Sequence, residues 1–265
     1  MTVTAIGLGA RQGGLEIRQF LRTREAVVFT MLFPVLMTVI FGSIFTWELA
    51  PGVRFTQYFV TGMVGAGLMA TGFQALAIQI PIERDRGVLK RLRGTPMPPW
   101  VYFAGKVLMV LAIGAAETVL LLVVAVGFFD LDLPASPAKW LTFGWVSLLG
   151  ITACTLGGIA FSSAARTGRS APAVVTPIAL VLQFISGVFF VFTELPSWMQ
   201  QVAAVFPLKW MCQGLRSVFL PESFAAREAA GSWELGRVAL ILSAWCVAGL
   251  VLCVLTFRWT GKRDG

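Results

Sequence analysis

FTQYFVTGMVGAGLMATGFQALAIQIPI, residues 55–82, runs into ERDRGVLKRLRGTPMPPWVYFAGK, residues 83–106, and that into VLMVLAIGAAETVLLLVVAVGFF, residues 107–129. The outer two stretches are long and apolar, whereas residues 82–106 carry six of the chain's 21 Lys and Arg. A helix needs roughly 20 apolar residues to cross the hydrocarbon of a bilayer. The pattern therefore predicts two spans joined by a basic loop on the cytoplasmic side. The first run exceeds a simple crossing, so its helix is either tilted or continues beyond the membrane.

The same criterion applied outward gives six spans, near 26–47, 57–81, 107–129, 140–165, 170–193 and 238–257, within one transmembrane domain covering 1–265. Composition agrees. Of 265 residues 57% are hydrophobic and 13% charged, and a mean hydropathy of +0.81 excludes an ordinary soluble globular domain. Alternate loops hold 15 and six of the 21 Lys and Arg, which predicts a multi-pass protein of the cell membrane with both termini cytoplasmic. A net charge of +8 scattered through short inter-span segments does not suggest nucleic acid as a partner. The chain has no histidine, and Cys154, Cys246 and Cys253 lie inside apolar runs, so neither a metal centre nor a disulfide framework is expected. The first 25 residues lack the apolar core of a secretory signal, and the N-terminus is expected to be retained.

Residues 11–25 are expected to form an amphipathic helix in the interface, lipid headgroups being one partner. Ile17, Phe20 and Leu21, with Val28 beyond, make one stripe, and Arg18, Arg22 and Glu25 another. A merely polar tail is the alternative. In residues 82–95, Val88, Leu89 and Leu92 gather on one side of a short helix, with Glu83, Gly87 and Lys90 on the other. Pro96, Pro98 and Pro99 end it. Such a segment either docks a soluble partner or only sets topology. Residues 195–210 are too short to cross and too apolar for a free loop. They are either an extracellular re-entrant segment before the last span, with Trp198 and Trp210 at headgroup level, or a small cap packing on itself.

Inside the spans, Gly62, Gly65, Gly67 and Gly72 thin one side of the second helix, and Pro34, Pro172 and Pro177 are expected to bend the first and fifth. Glu117 is the one charged residue expected in the hydrocarbon. It reads either as part of a transport path or as a buried structural hydrogen bond, with Thr152, Thr155 or Ser162 as partner. Gln74, Gln79, Gln183 and the neighbouring Phe184 are candidate lining residues of that path, or interhelical glue. No phosphate-binding loop, GxSxG or paired intramembrane carboxylate is present. Catalytic residues are therefore not expected, and any nucleotide hydrolysis would come from another protein.

The run Glu83, Arg84, Gly87, Leu89, Leu92, Thr95, Pro96 fits E-R-x-x-G-x-L-x-x-L-x-x-[ST]-P. With the six-span plan and the stretch at Pro207, Leu208 and Trp210, it resembles permease subunits of type-2 ABC exporters, the daunorubicin-resistance permease group. The resemblance implies an all-α polytopic fold and no cofactor on this chain, with ATP and Mg on a partner. It implies two copies of an ABC ATP-binding subunit docking on a coupling helix through Glu83, Arg84, Arg86 and Gly87, with Leu89 and Leu92 anchoring that helix. The connecting helix (Arg18, Phe20, Leu21, Arg22, Glu25) would supply a second contact. A second permease, identical or a sibling, would complete the path, spans two and five facing each other. The implied function is ATP-driven export of an amphipathic drug, antibiotic or lipid by alternating access. A polysaccharide or glycolipid exporter and a stand-alone secondary transporter are the alternatives.

Overall fold

A computed structural model describes residues 2–257, most of them helical. The C-terminus, predicted to be cytoplasmic, lies beyond 257 and outside the described residues. The first helix, α1 (Thr2–Arg22), stops at Thr23, so Glu25 and Val28 belong to α2 (Arg24–Ile44). A short hairpin, β1 (Glu48–Ala50) and β2 (Val53–Arg54), leads into α3 (Phe55–Met69). That helix passes through a π turn at Ala70–Gln74 into α4 (Ala75–Asp85). The six-residue α5 (Val88–Arg93) follows, then α6 (Pro99–Phe129) and α7 (Pro137–Phe161). The chain closes with α8 (Ala171–Ile185), α9 (Ser197–Val205), α10 (Pro207–Phe219) and α11 (Leu235–Thr256).

Among the described residues five helical segments are long and apolar enough to cross a membrane: 24–44, 55–85, 99–129, 137–161 and 235–256. The fold is that of an all-α polytopic membrane protein. The segment expected as the fifth span, 170–193, is the 15-residue α8 followed by a turn and a 3-10 turn at Phe192–Glu194. At 1.5 Å per residue α8 is about 22 Å long, less than the roughly 30 Å of hydrocarbon. The second span does run on, as its length suggested, to Asp85. The third begins at Pro99, two turns earlier than expected, because Pro99 suits a first helical position and nothing between Trp100 and Lys106 breaks a helix.

Segment 55–85 is the axis of the bundle and its most buried span. Its glycines are contact points. A Cβ on Gly62 would lie 2.9 Å from the Val188 backbone, and one on Gly65 2.9 Å from Cys212 Sγ. Of the prolines expected to bend helices, Pro34 lies within α2 and Pro177 within α8, while Pro172 sits in the first turn of α8, where it costs no hydrogen bond. Pro81 inside α4 is a further interruption.

Residues 195–210 form α9 and the start of α10. Trp198, Val202 and Val205 of α9 are exposed, whereas every residue from Leu208 to Phe219 of α10 is buried. Trp210 is buried too, its indole N–H donating to the Ala204 carbonyl at 2.7 Å. The buried Arg216 pairs with Glu228 at 2.6 Å and lies 4.8 Å from the Tyr58 ring. Around it Val53, Tyr58, Leu220, Phe224 and Trp233 make a second small core over the hairpin end.

The π turn exists in close register with α7. A Cβ on Gly158 would stand 2.6 Å from the Phe73 carbonyl oxygen and 2.8 Å from that of Gly72, both backbone, while one on Gly157 would meet nothing closer than 3.7 Å. Overpacking of this kind costs about 1–3 kcal/mol. Gly158→Ala is expected to lower the thermal unfolding midpoint in detergent by several degrees, and Gly157→Ala to leave it within error.

Candidate functional site

At the end of the bundle opposite the hairpin, α1 lies along the base of α6. A Cβ on Gly9 would meet Ala104 and Trp100 at 3.5 Å, while Gly13 abuts Leu108 and Gly105 abuts Gln12. At Gly13 and Gly105 only a residue without a Cβ allows this approach. The buried face of α1 is thus Gly9, Gly13 and Glu16, with Gln12, Ile17 and Phe20 half-buried, and Leu8, Arg11, Leu15, Arg18, Leu21 and Arg22 point away. Of the expected apolar stripe Leu21 faces out, and Glu16 faces in.

Glu16 meets Lys106, whose ammonium is fully buried. Lys106 Nζ lies 2.8 Å from Glu16 Oε2 and 2.5 Å from Glu83 Oε1. Glu83 also accepts from the Tyr102 hydroxyl and from Gln79 Nε2, each at 2.8 Å, and Gln12 Nε2 donates to Glu16 at 3.0 Å. Three i, i+4 pairs (Gln12 with Glu16, Gln79 with Glu83, Tyr102 with Lys106) converge from three helices. Each polar atom brought out of water is met, as burial of charge requires.

Glu83 is therefore not an outward contact, and neither is Arg84. Arg84 Nη2 donates to the carbonyls of Ser162 and Ala165, at 3.1 and 3.2 Å, and Asp85 accepts from the Gly168 N–H at 2.6 Å. These bonds staple the α7–α8 loop to the end of α4. The expected helix 82–95 is split at Gly87, in the left-handed region at φ 71°, between the end of α4 and α5. Leu89 is fully buried and Leu92 half-buried, as an anchoring face requires. Asp85, Arg86, Lys90, Arg91 and Arg93 are exposed and Gly87 half-exposed, while Glu25 is exposed at the start of α2.

Beside this platform a cavity of about 720 Å³ lies on the face of α3 and α4, walled by α2 and α8. Gln74, Gln79, Glu117 and Gln183 all line it, with Arg86, Gln19 and Thr23 toward the platform and Phe29, Phe33 and Met63 on apolar walls. Phe184 is not among its lining residues. It belongs to an aromatic layer one turn beyond Met63, where ring centroids lie 4.9 Å apart for Phe184–Phe189, 6.1 Å for Phe59–Phe189 and 4.9 Å for Phe41–Phe59. Gln74 reaches Thr176 of α8 at 3.4 Å.

Glu117 is buried, and its partner is Thr71, whose hydroxyl donates to Oε2 at 2.8 Å. Thr152, Thr155 and Ser162 instead bond carbonyls of their own helix, at Leu148, Ile151 and Ile159. Hydroxyls mid-helix commonly bond back in this way, whereas the π turn at 70–74 re-aims Thr71 toward α6. Glu16, Lys106 and Tyr102 were missed by sequence reasoning. A lysine and a tyrosine at i, i+4 on the flank of an apolar span, and a glutamate four residues after a glutamine on a glycine-bearing helix face, were the available signals.

A profile of the ABC-2 type transporter family matches residues 15–220, from within α1 to the end of α10. The chain belongs to that family. It is 20% identical over 74% of its length to the transport permease YvfS of Bacillus subtilis, covering 79% of that protein. It is 23% identical over 77% of its length to the inner membrane transport permease YadH of Escherichia coli K12, covering 80% of that protein. This ABC-2 chain is thus a multi-pass transport permease, and membership implies an ATP-binding subunit as its partner.

Removing one member of a buried ion pair costs about 3–5 kcal/mol, because the remaining charge is stranded. Lys106→Met leaves two buried carboxylates without their cation and is expected to abolish or severely reduce the folded yield in detergent. The double variant K106M/E83Q, which strands one charge fewer, is expected to recover part of it, measured as the monodisperse fraction and its melting temperature.

Proposed function

We propose that this chain is the membrane half of an ATP-driven exporter, carrying an amphipathic small molecule, a drug, antibiotic or lipid, from the cytoplasm or inner leaflet outward. The observation that carries the reading is the placement of an exposed basic ridge, Arg86, Lys90, Arg91 and Arg93, on a platform fixed by the Glu16–Lys106–Glu83 network. The platform faces the cytoplasm, as does the N-terminus, and α5 is the coupling helix on which one ATP-binding subunit docks. Outward residues of α1, Arg18 and Arg22 among them, add a second contact. Glu83 and Arg84 act from inside the permease by holding α5 in position. Two permeases and two ATPase copies make the working unit, and residues 195–210 form the re-entrant segment before the last span.

The cavity reaches the platform at Arg86, and the aromatic layer lies one turn beyond Met63 at its other end, an arrangement that suits a path open inward and closed outward. Closure of the ATPase dimer would tilt the platform and reverse that arrangement by rigid-body motion.

Pull-down in mild detergent is expected to recover a soluble ATPase with the wild-type permease. Reversing Arg86, Lys90 and Arg91 to Glu is expected to reduce that recovery at least about tenfold at unchanged melting temperature, since exposed charges contribute little to stability. Solute movement by the permease alone in vesicles, without a nucleotide-hydrolysing companion, would contradict the reading.

A further inference from the structure

The cavity holds an electrostatic feature that amphipathic transport in general does not require. Glu117 is the carboxylate lining it, and among the described residues its Oε2 has a single hydrogen-bond donor, Thr71, while no donor reaches Oε1. A buried carboxylate ordinarily gathers several donors or a cation. Here the neighbouring cations are out of reach or committed. Lys106 is taken by Glu16 and Glu83, and it stands eleven residues down α6 from Glu117, about 16 Å at 1.5 Å per residue. Arg86 is at the far end of the cavity, roughly 28 Å along the α3–α4 axis from Gly67 by the same rise.

The place for the carboxyl is built rather than incidental. Gly67 provides the space, since a Cβ there would collide with Glu117 Oε1 and stand 2.8 Å from its carboxyl carbon. The π turn provides the donor, carrying Thr71 toward Oε2 one turn beyond Gly67. π turns inserted in α-helices are frequent at functional sites, where they re-aim a side chain at the cost of helical regularity. The rest of the lining near Glu117 is neutral: amides of Gln74 and Gln183, the hydroxyl of Thr176, and the apolar walls of Phe33 and Met63. A carboxylate in apolar walls with one unanswered oxygen is complementary to a ligand that brings its own positive donor on an apolar body.

We propose that the niche formed by Gly67, Thr71 and Glu117 is a recognition site for a protonated amine, so that the cargo of this cavity is a cationic amphiphile. The ammonium group donates to Glu117 Oε1, and the apolar body lies against α2 and α8. This inference rests on reading the cavity as the transport path. It adds the sign of the cargo's charge and the residue that reads it.

The test is binding rather than transport, so that it fails separately from the proposal of ATP-driven export. A dansyl-labelled alkylamine and its N-acetylated, uncharged analogue are titrated by fluorescence into the permease, together with its copurifying ATPase, in nanodiscs of zwitterionic lipid without nucleotide. Wild type is expected to prefer the amine at least about tenfold over the analogue. Glu117→Gln is expected to collapse that ratio to near one, and Glu117→Asp, which keeps the charge, to retain part of it. Melting temperature establishes that each variant is folded. If Glu117→Gln does not fold, Glu117→Asp and Gly67→Ala carry the test, because a Cβ on Gly67 displaces the carboxyl and is expected to reduce the ratio. Equal binding of the two probes by wild type, or an amine preference that survives Glu117→Gln at full size, would overturn the proposal.

Discussion

A lysine with no exposed surface, held between carboxylates from two other helices, fixes the geometry of the end of the bundle where α1, α4 and α6 meet. Lys106 lies at the base of α6, Glu16 on α1 and Glu83 near the end of α4, and the distances of 2.8 and 2.5 Å leave no room for water between them. In a medium of low polarity such a cluster is stable only with all its members in place. Once formed, it makes three helices one body. The α5 ridge, the outward side of α1 and the α7–α8 loop stapled by Arg84 are all carried on that body.

The same axis links the platform to the cavity. Gln79 bonds Glu83 on one side and lines the cavity on the other, so platform and path share the helix that runs from Phe55 to Asp85. Along that helix the glycines alternate in service. Gly62 and Gly65 admit the turn at Val188 and α10, Gly67 admits the Glu117 carboxyl, and Gly72 lies against α7. A helix packed this tightly transmits a tilt rather than absorbing it, which is what the proposed drive from one end needs.

Much of the architecture was legible because the bilayer imposes a length and a charge rule on the sequence. The apolar runs and the basic break at 83–106 are direct readings of those rules. Gln74, Gln79, Glu117 and Gln183 all line one cavity, as polar groups in apolar helices turn toward a cavity or one another. What escaped is what depends on three-dimensional proximity of short i, i+4 pairs. Glu83 and Arg84 carry the motif and were expected to face outward, yet a charged residue at the end of a span is as well served by a partner on a neighbouring helix as by water. Thr71 was invisible as Glu117's partner because a π turn leaves no composition signal in ATGFQ, residues 70–74. The shortness of α8 was hidden by the apolar turn that follows it, SGVFFV at 186–191, which extends the hydrophobic run without extending the helix.

The central claim is that α1, the end of α4 with α5, and the base of α6 move as one rigid body while the cavity opens and closes. Spin labels placed at exposed positions outside the docking ridge, Gly14 on α1 and Thr95 just after α5, measure it by pulsed electron–electron distance spectroscopy on the assembled, reconstituted transporter. The account predicts a narrow distance distribution that is the same without nucleotide and with the ATPase trapped in its ATP-bound state. A distribution that broadens or shifts between those two states would contradict it.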